Sequence, residues 1–236
     1  TRPWFLIIPR SGLPIAIVPE IGAALMQATW LDDIRTWCSP HASDDGVSLL
    51  IEALRGNARI GMMMGRESSL RMPMVDFWKL RDRLESASFV DASALLQGLR
   101  MVKSSAEIQK IAAICAIASN SFANAAQIFH EGQRLRDAFR AFKIDLLNQG
   151  ADDVPYLVGG ADQGGYGDII SPPGDEPVRA GDVLMLDTGA TLDGYFCDFD
   201  RNFAFGHASD AAKTAYDTLF RATDAALQAA RPGMRC

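Results

Sequence analysis

The sequence predicts a mixed α/β (α+β) fold in two domains that meet near residue 100. Three observations carry this. Short strand-like runs alternate with amphipathic helical runs over the front of the chain, a capping-box helix follows, and a Gly/Pro-rich loop then leads into two long strands. The 236 residues, 48% hydrophobic and 22% charged, are enough for one or two packed cores. The net charge of −6 comes with no cluster of basic residues, which argues against a nucleic-acid partner. No apolar run approaches the ~20 residues of a membrane span. Cys38, Cys115, Cys197 and Cys236 are scattered without metal spacing, which predicts free thiols and a cytoplasmic setting. The first residues, "TRPWFLIIPR", begin inside a strand-like run and lack the layout of a signal peptide.

In chain order, "WFLIIP" and "PIAIVPE" flank the turn "RSGLP" and predict a hairpin, and "DIRTWC" adds a third short strand. "DDGVSLLIEALRG" is a helix closed by Gly56, and "ARIGMMMG" is a strand. "SLRMPMVDFWKLRDRLE" is helical, with Pro73 in its first turn, and "ASFVDA" is another strand. Ser104 and Glu107 have the spacing of a capping box. Behind them Ile108, Ile111, Cys115, Ala118, Phe122, Ala125 and Phe129 mark one face of a long helix. A second helix runs from about Arg134 to Gln149, with Leu135, Phe139, Phe142 and Leu146 inward and Gly150 as its stop. "VPYLVGG" is a strand, and "ADQGGYGDIISPPGDEPVRAGD" is a long loop of the kind that usually serves function. The last element is a helix capped by Ser209 and stopped by Pro232 and Gly233.

"LMLDTGATLDGYFCDFDRNFAFG", residues 184–206, sets Asp187, Asp198 and Asp200 into two strands, where aspartate is disfavoured. Asp193-Gly194 is a strong hairpin signal. A two-residue loop there places Leu192 opposite Tyr195 and Asp187 opposite Asp200. Asp198 shares the face of Asp200, and Arg201 points the other way. Like charges facing each other destabilise a strand pair, and a divalent cation would remove the repulsion. Two readings stay open at this level: a metal site, or solvated aspartates on an open sheet face.

"VRAGDVLMLDTGATLDGYFCDFDRNF" resembles the strand pair of the creatinase, aminopeptidase P and prolidase family, the pita-bread metallohydrolases. The matching positions are Gly181-Asp182, Asp187 with Gly189, Gly194-Tyr195, Asp198 eleven residues beyond Asp187, and Arg201. "LRMVKSSAEI" is similar to the family's interdomain segment. The stretch from "RPWFLIIPRSGLPIAIVPE" to "FVDA" resembles the later part of its ribonuclease H-like N-terminal domain. The resemblance therefore implies a creatinase-type N-terminal domain over 1–100, its start missing, and the first half of a pita-bread domain over 101–236. It implies two divalent metal ions, manganese first and cobalt, iron or zinc next. Asp187 would bind one ion and Asp198 would bridge both. The implied activity is metal-dependent hydrolysis of a C–N bond by a metal-bridged hydroxide, with Xaa-Pro dipeptides as substrates, in a homodimer.

Several positions depart from the family pattern. The histidine and two glutamates that complete its ligand set have no match here, and the chain's histidines are His41, His130 and His207. The family's loop histidine would fall near Gly167 or Ile170, which leaves Tyr166 or Asp168 as stand-ins. Asp200 stands where the family often has threonine, so Tyr166 and Asp200 are the candidate substrate contacts, and no residue is assigned as catalytic. These departures leave two further expectations beside the peptidase. One is a creatinase-like hydrolase of a small nitrogen compound or amide, and the other is a binding module without catalysis. The half-domain reading also predicts uncovered apolar surface.

Overall fold

The computed structural model describes residues 2–235, so Cys236 lies outside the described residues. Cys38, Cys115 and Cys197 are free thiols, and no described helix is long and apolar enough to cross a membrane. The chain forms two compact units, Thr1–Val102 and Lys103–Cys236.

In the first unit, β1 (Phe5–Ile7) pairs antiparallel with β2 (Ile15–Pro19), as the hairpin signal predicts. A short helix, α1 (Ala23–Gln27), carries the chain to β3 (Asp33–Trp37), which lies parallel to β2. Next come α2 (Val47–Leu54), β4 (Arg59–Met62), α3 (Met74–Arg83) and β5 (Ser88–Asp91), with β4 and β5 parallel. Parallel strands need a crossover, and α3 supplies it. Ile17, Trp37, Val47, Leu50, Ile51, Ile60 and Leu80 form the core of this unit. The chain then enters α4 (Ser93–Met101), which the sequence reading did not anticipate. Its exposed Leu95, Leu99 and Met101 give no inward stripe to read.

The second unit opens with α5 (Ser105–Ala123), and Ser104 and Glu107 form the expected capping box. The predicted long helix breaks at Asn124 into a short α6 (Ala125–Ile128). Ala118, Ala125 and Phe129 are buried and Cys115 and Phe122 pack against the core as expected, with Ile114 and Ser121 buried beside them, while Ile108 is exposed. Helix α7 (Leu135–Asn148) buries Phe139, Phe142 and Leu146 as predicted, and Gly150 follows with φ 110°. Strands β6 (Asp153–Gln163), β7 (Asp182–Leu192) and β8 (Tyr195–Ala204) form an antiparallel meander, followed by α8 (Asp210–Ala229). Ser209 caps α8, accepting a hydrogen bond from the Ala212 N–H at 3.1 Å. No α8 residue is buried, and Tyr216, Leu219, Phe220 and Leu227 are exposed, in keeping with the uncovered surface predicted above.

One face of the meander carries Leu184, Leu186, Ala190 and Cys197, all buried under α5 and α7 together with Phe142 and Leu146. The opposite face carries the aspartates, because successive strand residues alternate sides.

Candidate metal centre

The β7–β8 hairpin has the predicted register: Leu192 faces Tyr195, Asp187 faces Asp200, and Gly189 faces Asp198. The turn residues Asp193 and Gly194 both have positive φ, 52° and 78°, the combination that a two-residue hairpin loop with the right twist requires. The turn is fastened to α5. Lys110 forms an ion pair with Asp193, and the Tyr195 hydroxyl donates to Glu107 at 3.0 Å. These contacts fix the strand pair against the helix that begins at the capping box.

Asp187, Asp198 and Asp200 therefore share the face away from the helices. Asp187 is half-buried, whereas Asp198 and Asp200 are exposed. Desolvation, and then the charge of Asp198, push the Asp187 carboxyl above its ordinary range, while a hydrogen bond from Tyr156 works against that rise. Asp200 is also pushed up, by desolvation and then by the charge of Asp187, against a smaller lowering by Arg201. None of the three forms an ion pair among the described residues. Arg201 lies on the other face, with its guanidinium 5.0 Å from the Phe199 ring centroid and 5.7 Å from that of Phe122. Its Nη1 donates to the backbone carbonyl of Asp200 at 2.6 Å, so it acts on the Asp200 carboxylate only through space and forms no ion pair with it.

The convergence is looser than the sequence reading expected. Among the described residues, no three His, Cys, Asp or Glu side chains come together closely enough to hold an ion. The tight element is a pair. Tyr156, on β6, places its hydroxyl 2.5 Å from Asp198 and 3.2 Å from Asp187. Sequence reasoning missed this residue. Burial first, and then its hydrogen bond to Asp198, push its hydroxyl well above the ordinary tyrosine range, so the phenol stays neutral. Gly189 makes room for it, since a Cβ there would lie 2.5 Å from the Tyr156 ring and 2.3 Å from Phe196. Asp182, at the start of β7, is buried and accepts from the Gln163 amide at 2.5 Å and the Arg179 N–H at 2.8 Å. This ties the incoming loop to the strand.

That loop, 164–181, folds back toward the same face. A Cβ on Gly160 would lie 2.5 Å from the Asp168 carbonyl oxygen, so glycine lets the loop approach the strand. The Tyr166 hydroxyl donates to the Asn202 side-chain oxygen at 2.7 Å. Burial and then the charge of Asp200 push its hydroxyl above the ordinary tyrosine range, which places Tyr166 within electrostatic reach of Asp200. Asp168 is turned onto its own loop, bonding the Ser171 hydroxyl at 2.5 Å. The far end of the loop is tied to the start of α7, where Arg136 pairs with Asp175 at 2.9 Å.

The donor set fits a divalent ion in kind. Asp187 and Asp198 offer hard oxygen donors, carry uncompensated charge, and are linked by one neutral phenol.

The model of metallopeptidase family M24 matches residues 109–236 of this chain. Among curated relatives, the probable dipeptidase PepE of Mycobacterium tuberculosis is 24% identical over 230 residues, covering 97% of this chain and 60% of the relative. The Xaa-Pro dipeptidase of Pyrococcus furiosus is 26% identical over 181 residues, covering 72% of this chain and 49% of the relative. Among solved structures, the prolidase of Thermococcus sibiricus superposes with a TM-score of 0.83 at 22% identity, covering 99% of this chain and 62% of that one. The dipeptidase PepE of Mycobacterium ulcerans gives 0.78 at 25% identity, with 99% and 62% covered. The mixed α/β, pita-bread architecture is thus shared along nearly the whole chain, which spans about 60% of the length of these PepE and prolidase relatives.

Proposed function

Because the chain belongs to metallopeptidase family M24, we propose that it contributes Asp187 and Asp198 to a divalent-metal centre that hydrolyses a C–N bond in a small peptide. The observation that supports this most is the Tyr156-linked carboxylate pair on β7 and β8. In this reading residues 1–100 are the creatinase-type N-terminal domain, 101–236 belong to the pita-bread domain, and the assembly is a homodimer.

When bound, a divalent ion, manganese first, supplies Lewis acidity that polarises the scissile carbonyl and eases ionisation of water. The chain's own residues do the rest. Asp187 and Asp198 hold the ion, and the packed helix face behind β7 keeps Asp187 fixed. Tyr156 orients the pair, with its hydroxyl directed chiefly at Asp198. Tyr166 and Asp200 line the approach to the site. Asp200 has no ion-pair partner among the described residues, which favours a substrate with a cationic group, such as the free amino terminus of a dipeptide. The same feature favours the second reading, a small cationic nitrogen compound as substrate.

The test is metal content together with hydrolysis of Xaa-Pro dipeptides and small amides, on the wild type and Asp187→Asn. Metal-dependent hydrolysis lost in the variant is the expected result. Metal binding without turnover of any substrate moves the protein to the binding-module reading. No metal binding at all removes the proposal.

A further inference from the structure

We infer that Tyr156 is a positioning residue of this metal centre, the clamp that sets the spacing of Asp187 and Asp198. The inference rests on the metal-centre reading above and concerns a residue outside its ligand pair.

The argument starts from the proton count. A phenol has one hydrogen to donate, yet the Tyr156 oxygen lies 2.5 Å from one carboxylate and 3.2 Å from the other. The short contact takes the proton, so Asp187 receives only a weak share. A single neutral donor between two carboxylates gives direction but leaves their charge uncompensated. That combination fits a group that orients ligands for a cation, because outer partners of ligating carboxylates hold them in register.

The seat of the ring is equally specific. Tyr156 pairs with Gly189 across β6–β7, and Gly189 pairs with Asp198 across β7–β8. The phenol therefore crosses directly over Gly189 to reach the outer strand. Any side chain at 189 would collide with the ring, at 2.5 Å for a Cβ. Phe196 stacks beside it at 6.0 Å between centroids and limits its lateral movement. Below the ring, the buried Thr188 hydroxyl donates to the Tyr156 carbonyl at 3.2 Å and anchors its backbone. Glycine in the aspartate-x-glycine motif is then explained as the notch for this clamp.

The test is the affinity for Mn2+ alone, by calorimetric titration of the wild type, Tyr156→Phe and Gly189→Ala, with thermal unfolding of the metal-free proteins alongside. Tyr156→Phe keeps the ring and removes the hydroxyl. The expected result is about 10–100-fold weaker Mn2+ binding in Tyr156→Phe, at an unfolding midpoint equal to that of the wild type. Gly189→Ala is expected to weaken binding at least as much, and in the Tyr156→Phe background to add less than it does alone. Tyr156→Phe that binds Mn2+ like the wild type overturns the inference and leaves the metal centre standing. Weaker binding accompanied by a matching fall in the metal-free midpoint also overturns it, since the hydroxyl would then serve only the fold. A wild type that binds no Mn2+ removes the metal centre itself, and the clamp with it.

Discussion

The two faces of the β6–β8 sheet differ sharply in character. The face under α5 and α7 is apolar and sealed, with Leu184, Leu186, Thr188 and Ala190 buried in succession along β7 and its neighbours. The other face carries three carboxylates, two tyrosines and Asn202, and its Asp198 and Asp200 are open to solvent. One strand serves both because its side chains alternate, so stability and chemistry sit one residue apart.

The sharpest way to break this comparison is a pair of adjacent substitutions. Leu186→Ala, on the sealed face, removes a fully buried side chain and is expected to cost about 2–5 kcal/mol. Asp187→Asn, one residue along, is expected to leave the metal-free unfolding midpoint unchanged or raised while abolishing Mn2+ binding. Denaturant unfolding and metal titration of both variants decide the matter. A large stability loss in Asp187→Asn would mean that the carboxylate serves the fold.

Next in size is Gly159→Ala. Gly159 has φ 149°, and a Cβ there would lie 2.0 Å from the Met185 carbonyl oxygen and 3.1 Å from the Phe139 ring. Neither neighbour yields easily, since one is backbone and the other is core. A cost of more than about 1 kcal/mol is expected, read as a lower unfolding midpoint.

The same sheet shows what the sequence made legible. The β7–β8 register was readable because Asp193-Gly194 fixes the turn and the side-chain period is two, which together determine that Asp187 faces Asp200. The inward residues of α7 were readable from their 3.6-residue period. Tyr156 was not, because its place depends on the pairing of β6 with β7, which includes a register shift between Asp153 and Tyr156 that no local residue announces. The end of β6 was hidden for a related reason. "VPYLVGG" reads as the whole strand and "ADQ" as the start of the Gly/Pro-rich loop, yet β6 runs on to Gln163, which pairs with Asp182 of β7. Helix α4 lacked a buried stripe, and the break at Asn124 interrupts a pattern that continues in sequence on both sides.

A smaller effect is expected at the start of α5, where Glu107 also accepts from the Tyr195 hydroxyl of β8. Ser104→Ala removes the hydroxyl that accepts from the Glu107 N–H and is expected to cost about 1 kcal/mol. The Ser104 backbone N–H, and then its hydroxyl, hold the Glu107 carboxyl below its ordinary range. A carboxyl depressed in the folded state contributes stability above its unfolded pKa, and that contribution is lost as pH falls through the folded value. The deficit of Ser104→Ala relative to the wild type should therefore shrink in acid, as the wild type loses its own share of the capping box. A deficit independent of pH would separate the hydroxyl from the Glu107 charge.

The smallest expected effect is at Asp200, and it tests whether the open face is organised for charge alone. Asp200 faces Asp187 across the hairpin, and the two like charges oppose each other in the metal-free protein. Asp200→Asn keeps the shape and removes one charge, so a gain of about 0.2–1 kcal/mol is expected. Because the residue is exposed, added salt should shrink the gain by screening the repulsion in the wild type. The same variant should bind Mn2+ slightly more weakly, since the local negative potential falls. Opposite signs for stability and affinity are what a face built for a cation requires. A loss of stability instead would assign Asp200 to holding the Tyr166 and Asn202 side of the loop, and the division between a face for folding and a face for chemistry would no longer hold at this position.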